Sequence, residues 1–193
     1  MEYIDYYGLD FFKQNAEFTH AENPLVEENV FIKRKDSPED VPVPTYEEAR
    51  DRLPVPHWDG HEDYINCYWR AWEIGFKNVL KLVPNTGFVS NFIDTAFNGC
   101  IFMWDSSFML MFGKYADRIF KFQKTLDNFY SHQHIDGFIC REICEYEVGE
   151  HFSRHDPSST GPNVMAWSEW EYYCQTGDLD RLSKIFDPLL AYH

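Results

Sequence analysis

An apolar stripe at helical spacing constrains the fold of this chain more than any other sequence feature. The stripe starts at Ile65, shortly after His61, and ends at Val83, just before Pro84. Its members recur at intervals that place them on one face of a helix. They are Ile65, Tyr68, Trp69, Trp72, Phe76, Val79, Leu80 and Val83. We therefore expect one long amphipathic helix that runs from His61 to the residue before Pro84.

Two further helices are predicted between residues 98 and 132. The first follows a Trp-Asp pair, and the second is expected to start at Asp117, a good N-cap residue type, and to end near His132. The apolar positions of the first are Phe108, Met111, Phe112 and Tyr115. Those of the second are Ile119, Phe122, Leu126, Phe129 and Tyr130.

The last part of the chain, from residue 162 to residue 193, predicts two more helices. Pro162 suits the first turn of a helix, and Gly177 suits the position that ends it. Asp178 can cap the next helix, which Pro188 should kink or split. Because no strand-like alternation of apolar and polar residues is evident, the expected fold class is all-α, built from antiparallel helical hairpins.

Residues 1–56 differ from the remainder and are expected to form an extended arm that wraps the main body, residues 57–193. Proline fixes the backbone and pushes its predecessor out of the helical region, so long helices are disfavoured in the arm. Short helices are predicted near residues 5–14 and 46–52. Six of the ten prolines lie in the arm: Pro24, Pro38, Pro42, Pro44, Pro54 and Pro56.

The charge balance excludes several classes of partner. The chain has 17 basic and 32 acidic residues, a formal net charge of −15, which argues against binding to nucleic acid or to an anionic membrane. No apolar run reaches membrane-spanning length, and the first residues lack the layout of a signal peptide. We therefore expect a cytoplasmic protein with no nucleic-acid and no membrane partner.

The five cysteines are odd in number and mostly lie inside apolar helical patterns, so we expect buried thiols in a reducing compartment. Cys140 and Cys144 are four residues apart, which is not the two-residue spacing of redox or zinc motifs, and a packing role is favoured for both. The five are Cys67, Cys100, Cys140, Cys144 and Cys174.

The stretch from Asn98 to Phe112 carries the strongest functional signal. Trp104 and Asp105 interrupt an apolar run, and a helix-forming sequence follows at once. Asp105 and Ser106 are good N-cap residues, so we expect the carboxylate at a helix mouth among unpaired backbone N–H groups. An indole offers an apolar face to a sugar, and a carboxylate accepts hydrogen bonds from its hydroxyls. The alternative interpretation is a capped core helix.

Residues 133–161 are polar and turn-rich, and this segment is too long for a simple connector, so we expect it to carry function. Asp136 is either a turn residue before Gly137 or a sugar ligand. Arg141 is either a surface residue or a donor of forked hydrogen bonds to sugar oxygens.

Two groups of histidines and aspartates lie in and beside this loop. His151 and His155 have the spacing of a zinc helix but neither its helical context nor its glutamate, so we expect no metal and no cofactor. A structural calcium in the loop stays open as an alternative. The groups are His132, His134 and Asp136, and His151, His155 and Asp156.

The helix predicted after Pro162 holds a cluster of aromatic and acidic residues. Trp167 and Glu171 share a face at i, i+4 spacing. We favour core aromatics beside solvated acids over a catalytic pair, with Trp167 at the border of a cleft as the alternative. The cluster consists of Trp167, Glu169, Trp170, Glu171 and Tyr172.

Three segments together resemble the six-hairpin glycosidases, in particular the group of trehalases, glycoside hydrolase family 63 and mannosylglycerate hydrolases. Residues 101–108, Ile-Phe-Met-Trp-Asp-Ser-Ser-Phe, are similar to the segment that holds the sugar in the −1 subsite of that group. Residues 133–142 resemble the cleft-lining loop after its third helix. Residues 160–178 resemble its proline-opened helix and the start of the helix that follows.

This resemblance implies an (α/α)6 toroid of which residues 57–193 are the first part, since the chain stops within a helical pattern at His193. The general acid and base of the family would lie beyond His193, and a missing C-terminal half or a second chain would cover the inner helical face. Thr160-Gly161-Pro162 differs from the Gln-Pro-Pro of trehalases, which argues against trehalose itself. The implied substrate-binding residues are Phe102, which is otherwise a core residue, Trp104, Asp105, Asp136, Arg141 and Trp167.

The function implied by the resemblance is that of an inverting glycoside hydrolase acting on an α-linked disaccharide or short glycoside. Such enzymes place two carboxyl groups on opposite sides of the sugar. Asp105 would be neither of them and would instead hold sugar hydroxyls. Two alternatives stay open: a non-catalytic sugar-binding or assembly module, and a sugar epimerase or lyase that uses His, Tyr or Arg proton chemistry.

Overall fold

The computed structural model describes residues 22–39, 41–95, 99–145, 149–152 and 161–193. Helical turns account for 53% of these residues and strands for 7%, so the described chain is mainly helical, as predicted. The short helix predicted near residues 5–14 lies outside the described residues. Within the part that is described, every helix is too short or too polar to cross a lipid bilayer.

The N-terminal arm forms short helices, each started by a polar cap. Asn23 and Asn29 accept hydrogen bonds from backbone N–H groups at the starts of the first two helices, and Thr45 forms a capping box with Glu48 at the third. The prediction of a helix near residues 46–52 is confirmed. The arm contains α1 (Pro24–Glu27), α2 (Val30–Lys33), α3 (Tyr46–Ala49) and the 3-10 turns Arg34–Asp36 and Arg50–Arg52.

Buried polar contacts fasten the arm to the main body. The Asn29 side-chain amide donates to the Tyr130 carbonyl at 2.9 Å and to the Gln133 side-chain oxygen at 2.8 Å. The Phe31 ring packs against the Tyr130 ring with centroids 5.2 Å apart. Since Asn29 is 1% exposed, this arm residue belongs to the interior of the fold.

The long helix is shorter than its apolar stripe predicts. Helix α4 spans Glu62–Lys77 and ends at Asn78, whose side chain donates to the Ile74 carbonyl at 3.0 Å. Strand β1 (Val79–Leu80) follows and pairs antiparallel with β2 (Phe92–Ile93). The apolar spacing continues past the helix end because Val79 and Leu80, although extended, pack in the same core as the apolar face of α4.

The Trp-Asp segment joins a strand to a helix. Strand β3 (Cys100–Phe102) leads directly into α5 (Met103–Gly113), which a 3-10 turn, Lys114–Ala116, prolongs. The helix expected from Asp117 starts later, as the 3-10 turn Phe122–Lys124 and then α6 (Thr125–Ser131). Asp117 does not cap that helix, because its carboxylate binds the Tyr172 hydroxyl at 2.7 Å and the Lys121 ammonium group.

The expectation of a fold without strands is wrong, because β1, β2 and β3 are joined by a fourth strand in the loop of residues 133–161. Strand β4 (Glu142–Cys144) pairs antiparallel with β3, with Cys100 opposite Cys144 and Phe102 opposite Glu142. Glu150 continues this pairing through an isolated bridge to Ile143. The two strands are too short for sequence alternation to reveal them.

The last two helices form a hairpin. Helix α7 spans Met165–Thr176, so Pro162 lies before its first turn, and Gly177 ends it in a left-handed conformation with φ +71°. Helix α8 spans Leu179–Tyr192, and the Asp178 side chain caps it by accepting from the Arg181 backbone N–H at 2.9 Å. The stop at Gly177 and the cap at Asp178 are confirmed, and Pro188 lies inside α8 without splitting it.

The cysteines do not match the expectation of five buried thiols. Cys100 and Cys144 form a disulfide. Cys67 and Cys174 are exposed free thiols, and Cys140 is a buried one. Burial raises the pKa of Cys140 to about 12, which agrees with a packing role for that thiol.

The core is shared by the N-terminal arm, both small sheets and all the long helices. Helix α5 packs mainly against α7, which in turn packs on α8. Aromatic rings fill the centre in edge-to-face and tilted contacts. The largest completely buried aromatic side chains are Phe88, Phe92, Phe122, Phe129 and Tyr130.

Candidate functional site

The start of helix α5 places Asp105 in its first turn and not at its cap. Phe102 occupies the N-cap position, and its side chain makes no capping hydrogen bond. Strand pairing sets this boundary, because the backbone N–H of Met103 donates to the Arg141 carbonyl at 2.8 Å. The expectation that Asp105 or Ser106 caps the helix is therefore wrong. Asp105 nevertheless lies at the helix mouth that was predicted.

The Asp105 side chain is half-buried and faces the positive end of α5. Among the contacts of the described residues, no hydrogen bond or ion pair involves its carboxylate. Ser106 is fully buried, and its hydroxyl has no hydrogen-bond partner among the same residues. Asp105 is thus a carboxylate held at a helix N-terminus with its acceptor capacity available to a ligand.

Three exposed aromatic rings form a continuous row beside Asp105, which we call the aromatic row: Trp104, Phe108 and Trp167. Their exposed fractions are 55%, 52% and 42%. The Trp104 and Phe108 ring centroids are 6.4 Å apart, and those of Phe108 and Trp167 are 5.6 Å apart, each pair inclined at 65°. The structure therefore brings Trp104 and Trp167 onto one surface, and Trp167 is not the core aromatic that was favoured.

Arg141 is half-buried, and its backbone carbonyl binds the first residue of α5. Its guanidinium carbon stands 3.7 Å from the centroid of the Phe152 ring. Its Nε atom is buried and has no hydrogen-bond partner within the described residues. A side chain added to Gly161 would meet the Arg141 Cβ at 3.1 Å and the Met103 Sδ at 3.2 Å. The Arg141 stem and the Met103 side chain thus both border Gly161.

Phe102 and Asp136 have less direct links to this surface. Phe102 is half-buried on β3, opposite Glu142. Asp136 accepts a hydrogen bond from the Phe138 backbone N–H at 3.2 Å, which is the local contact of a turn aspartate. The next residue, Gly137, has φ +99°, and a Cβ there would lie 2.1 Å from the Ala191 carbonyl oxygen. The turn of Asp136 is therefore pressed against the end of α8.

The histidines of the loop have separate surroundings. His132 is half-buried, and desolvation of its ring lowers the pKa of His132 to about 4, so the ring is neutral at pH 7. His134 Nε2 lies 2.6 Å from Glu150 Oε1, and His151 Nδ1 lies 2.9 Å from Glu142 Oε1. His155 and Asp156 lie outside the described residues. Among the described members of the two groups, His151 alone joins a cluster of metal-ligating side chains, together with Cys100, Glu142 and Cys144.

A buried ion network, which the sequence analysis missed, lies on the inner side of α7. Arg181 donates to Glu169 through Nε at 2.8 Å and Nη2 at 2.6 Å, and to Asp127 through Nη1 at 2.8 Å. Tyr130 donates to Glu169 at 3.0 Å, and Arg34 donates to Asp127 at 2.9 Å. We use "buried ion network" for these five residues.

Charge pairing maintains this network despite its burial. Burial alone lowers the pKa of Arg181, but the Glu169 and Asp127 carboxylates more than offset this and raise it well above the usual value. Burial, together with the Glu169 charge, raises the pKa of Tyr130 well above its usual value. Glu169 is 2% exposed, so the expectation that the acids of α7 are solvated is wrong for this residue. Glu171, in contrast, is partly exposed and binds Lys114 at 2.7 Å.

Sequence spacing contained a signal for the buried face of α7. Met165, Ser168, Glu169 and Tyr172 follow the i, i+3, i+4, i+7 pattern and are all buried. Trp167 and Trp170 fall outside that pattern, and both are exposed. Side-chain type alone predicts buried tryptophans and an exposed glutamate. The residue spacing predicts the observed burial correctly.

Comparison of the chain with protein-family models, with curated proteins and with solved structures finds no match.

Proposed function

We propose that this chain is the sugar-binding part of a glycoside hydrolase with an (α/α)6 toroid. One observation carries the proposal: an exposed aromatic row on α5 and α7 lies beside a helix-mouth carboxylate that makes no hydrogen bond or ion pair with another described residue. Exposed rings next to a carboxylate are the combination that carbohydrate sites use, because ring faces cover sugar C–H groups and carboxylates accept from hydroxyls. The mainly helical fold is compatible with helical hairpins of a toroid.

Each proposed residue has a distinct task at this surface. Trp104 and Trp167 supply flat apolar faces, and Asp105 accepts hydrogen bonds from sugar hydroxyls. Arg141 is a positioning residue, since its backbone carbonyl accepts a hydrogen bond from the first residue of α5 and its Nε atom is buried. Phe102 and Asp136 shape the strand and the turn behind the surface.

The proposed reaction is hydrolysis of an α-linked disaccharide or short glycoside with inversion at the anomeric carbon. Inversion needs a general acid and a general base that are separated enough to admit a water molecule. Asp105 is assigned to neither task. Its contacts to hydroxyls favour the distorted sugar of the transition state, so they contribute to turnover as well as to binding.

The proposal is tested by sugar binding to matched tryptophan variants. α-Glucosides, α-mannosides and mannosylglycerate are titrated into the protein and followed by saturation-transfer NMR and calorimetry. We expect Trp104→Ala and Asp105→Ala each to weaken binding about tenfold or more, because each removes about 1.4 kcal/mol or more of contact energy. Trp58→Ala is the control, since Trp58 is also 55% exposed but lies outside the aromatic row.

Equal affinity in the Trp104 and Trp58 variants would contradict the proposal, as would the absence of binding by every sugar to the folded wild-type protein. Any hydrolysis is scored for the anomeric configuration of the product. Retention of configuration would contradict the inverting mechanism. The binding surface is tested separately, by the sugar affinities of the variants.

A second candidate function, an assembly module, is favoured by the outer face of α8. Phe186 and Leu190 lie one helical turn apart and are 61% and 51% exposed, and Leu179 on the same helix is 64% exposed. Large exposed apolar residues that lie together mark interaction surfaces. Light scattering after size-exclusion chromatography separates the cases: a stable oligomer that Phe186→Ser converts to a monomer supports assembly, and a monomeric wild-type protein argues against it.

A further inference from the structure

Four side chains with metal-ligating atoms converge on one face of the β3–β4 sheet. Cys100, Glu142, Cys144 and His151 each offer one ligand atom, and these atoms all lie within 4.8 Å of one another. We call this set the sheet-face cluster. It contains none of the residues assigned to sugar binding, so it does not depend on the proposed function.

Backbone pairing, and not chance surface proximity, brings the cluster together. The β3–β4 register sets Cys100 opposite Cys144 and places Glu142 two residues away on the same strand. The chain then turns back, because the Cys144 N–H donates to the Gly149 carbonyl at 2.7 Å and the His151 N–H donates to the Glu142 carbonyl at 3.2 Å. Three chain segments therefore deliver the four side chains to fixed positions.

The distances from His151 to Cys144 and to Glu142 approach those of a tetrahedral zinc site, whereas the two bonded sulfurs must separate to about 3.8 Å after reduction. Zn–S bonds near 2.3 Å and Zn–N bonds near 2.0 Å require an S···N separation of about 3.6 Å. Cys144 Sγ and His151 Nδ1 are 3.9 Å apart. Glu142 Oε1 and His151 Nδ1 are 2.9 Å apart, so a shift of about half an ångström would make them co-ligands at the roughly 3.4 Å expected for zinc.

The donor types and their burial favour zinc over hard cations. Calcium and magnesium take oxygen ligands, whereas two thiolates and an imidazole are the set that zinc prefers. Cys100 and Cys144 are fully buried, and the Glu142 and His151 side chains are 12% and 20% exposed. Such burial protects thiolate–metal bonds from water and from competing ligands.

We propose that the dithiol form of the Cys100–Cys144 pair, together with His151 and Glu142, binds one Zn²⁺ ion. The disulfide present in the structure is the oxidised form of the same site. A dithiol reductant converts it by transferring two electrons and two protons, and the reductant itself becomes a disulfide. Zinc binding then releases the two thiol protons to solvent, because each sulfur binds the metal as a thiolate.

The two sulfurs thus either bond to each other or bind a metal ion, but not both. Either linkage ties β3 to β4, and β3 leads without a break into α5. The structure around the cluster is therefore retained in both forms, while metal affinity depends entirely on the redox state.

The experiment uses a Cys67→Ser/Cys174→Ser background, which removes the two exposed free thiols. One sample is purified throughout in a phosphine reductant, which takes up water oxygen as it reduces the disulfide to two thiols. A matched sample is kept oxidised, and alkylation with mass spectrometry counts the thiols in each. Co²⁺ is titrated as a spectroscopic probe, and Zn²⁺ then displaces it.

We expect the reduced protein to bind one Co²⁺ with a thiolate-to-cobalt charge-transfer band and tetrahedral d–d bands, and the oxidised protein to show neither. Cys144→Ser and His151→Phe should weaken binding by more than about 100-fold, since even outer-shell partners contribute 10–100-fold. Cys140→Ser is the control, because Cys140 is buried nearby on the same loop but lies outside the cluster.

Failure of the reduced wild-type background to bind metal with these bands would overturn the proposal. So would binding that persists unchanged in His151→Phe, or that Cys140→Ser removes as completely as Cys144→Ser. Circular dichroism of each variant verifies that it is folded. The comparison of the oxidised and reduced wild-type background needs no variant in the cluster, so it tests the site even where a substitution prevents folding.

Discussion

The two faces of helix α7 reverse the usual distribution of side chains. Its outer face carries the exposed rings Trp167 and Trp170, whereas its inner face buries Glu169 within the buried ion network. The acid is stabilised inside because Arg181 binds both of its oxygens and Tyr130 donates to one of them. The contrast teaches that partner geometry, and not polarity alone, decides which side of this helix is inside.

The largest expected effect in this comparison comes from removing the cation of the network. Arg181→Met should lower the free energy of unfolding by about 3–5 kcal/mol, because the buried Glu169 loses its cation and Asp127 loses one of its two. Urea denaturation measures the change. Lys184→Met is the control on the same helix: its ion pair with Asp180 is largely exposed, so a loss of about 1 kcal/mol or less is expected. Similar losses in the two variants would contradict the interior role of Arg181.

A second test uses the pH dependence of the interior. Burial lowers the pKa of His132 from its ordinary value of 6.5 to about 4, so the unfolded chain binds a proton between these pH values and the folded chain does not. Its contribution to stability is fully present above pH 6.5 and is lost as the pH falls towards 4. The loss reaches roughly 3 kcal/mol at the lower limit.

Unfolding free energies of the wild type and of His132→Gln at pH 7.5 and pH 4.5 measure this contribution. We expect the wild-type protein to lose about 2–3 kcal/mol more than the variant between the two pH values. Parallel losses in both proteins would show that the His132 ring takes up its proton in the folded state as easily as in the unfolded chain.

The smallest expected loss of stability is for a ring of the aromatic row on α5. Phe108→Ala should cost about 1 kcal/mol or less, because the ring is 52% exposed and shields little apolar area from water. Phe129→Ala is the matched interior variant, with the same substitution at 0% exposure, and about 3–5 kcal/mol is expected there. Thermal denaturation of the pair gives the comparison directly. A large loss in Phe108→Ala would mean that the aromatic row is a structural element and not a binding surface.

Local sequence signals predicted the helix ends that depend only on neighbouring residues. The Gly177 stop and the Asp178 cap needed only turn and capping preferences. The end of α4 at Lys77 and the start of α5 at Met103 were misplaced, because strand pairing with residues far along the chain sets both boundaries. Apolar spacing continues across each boundary, so it contains no sign of the change from helix to strand.

The candidate sites likewise divide into residues visible within one sequence segment and residues that distant segments bring together. Trp104 and Asp105 were identified from one short segment, and the structure places Trp104 in a row with Trp167. The sheet-face cluster was missed because Cys100 and Cys144 are 44 residues apart and meet through the β3–β4 register. Residue spacing within a single segment does not indicate a pairing between residues so far apart in the chain.

Asp127 accepts from two guanidinium groups that belong to distant parts of the chain, Arg34 of the N-terminal arm and Arg181 of α8. A buried carboxylate with two cations couples the elements that supply them, since release of either one leaves the acid with half of its charge compensation. We therefore expect the arm and the final hairpin to open together, although 146 residues lie between the two arginines.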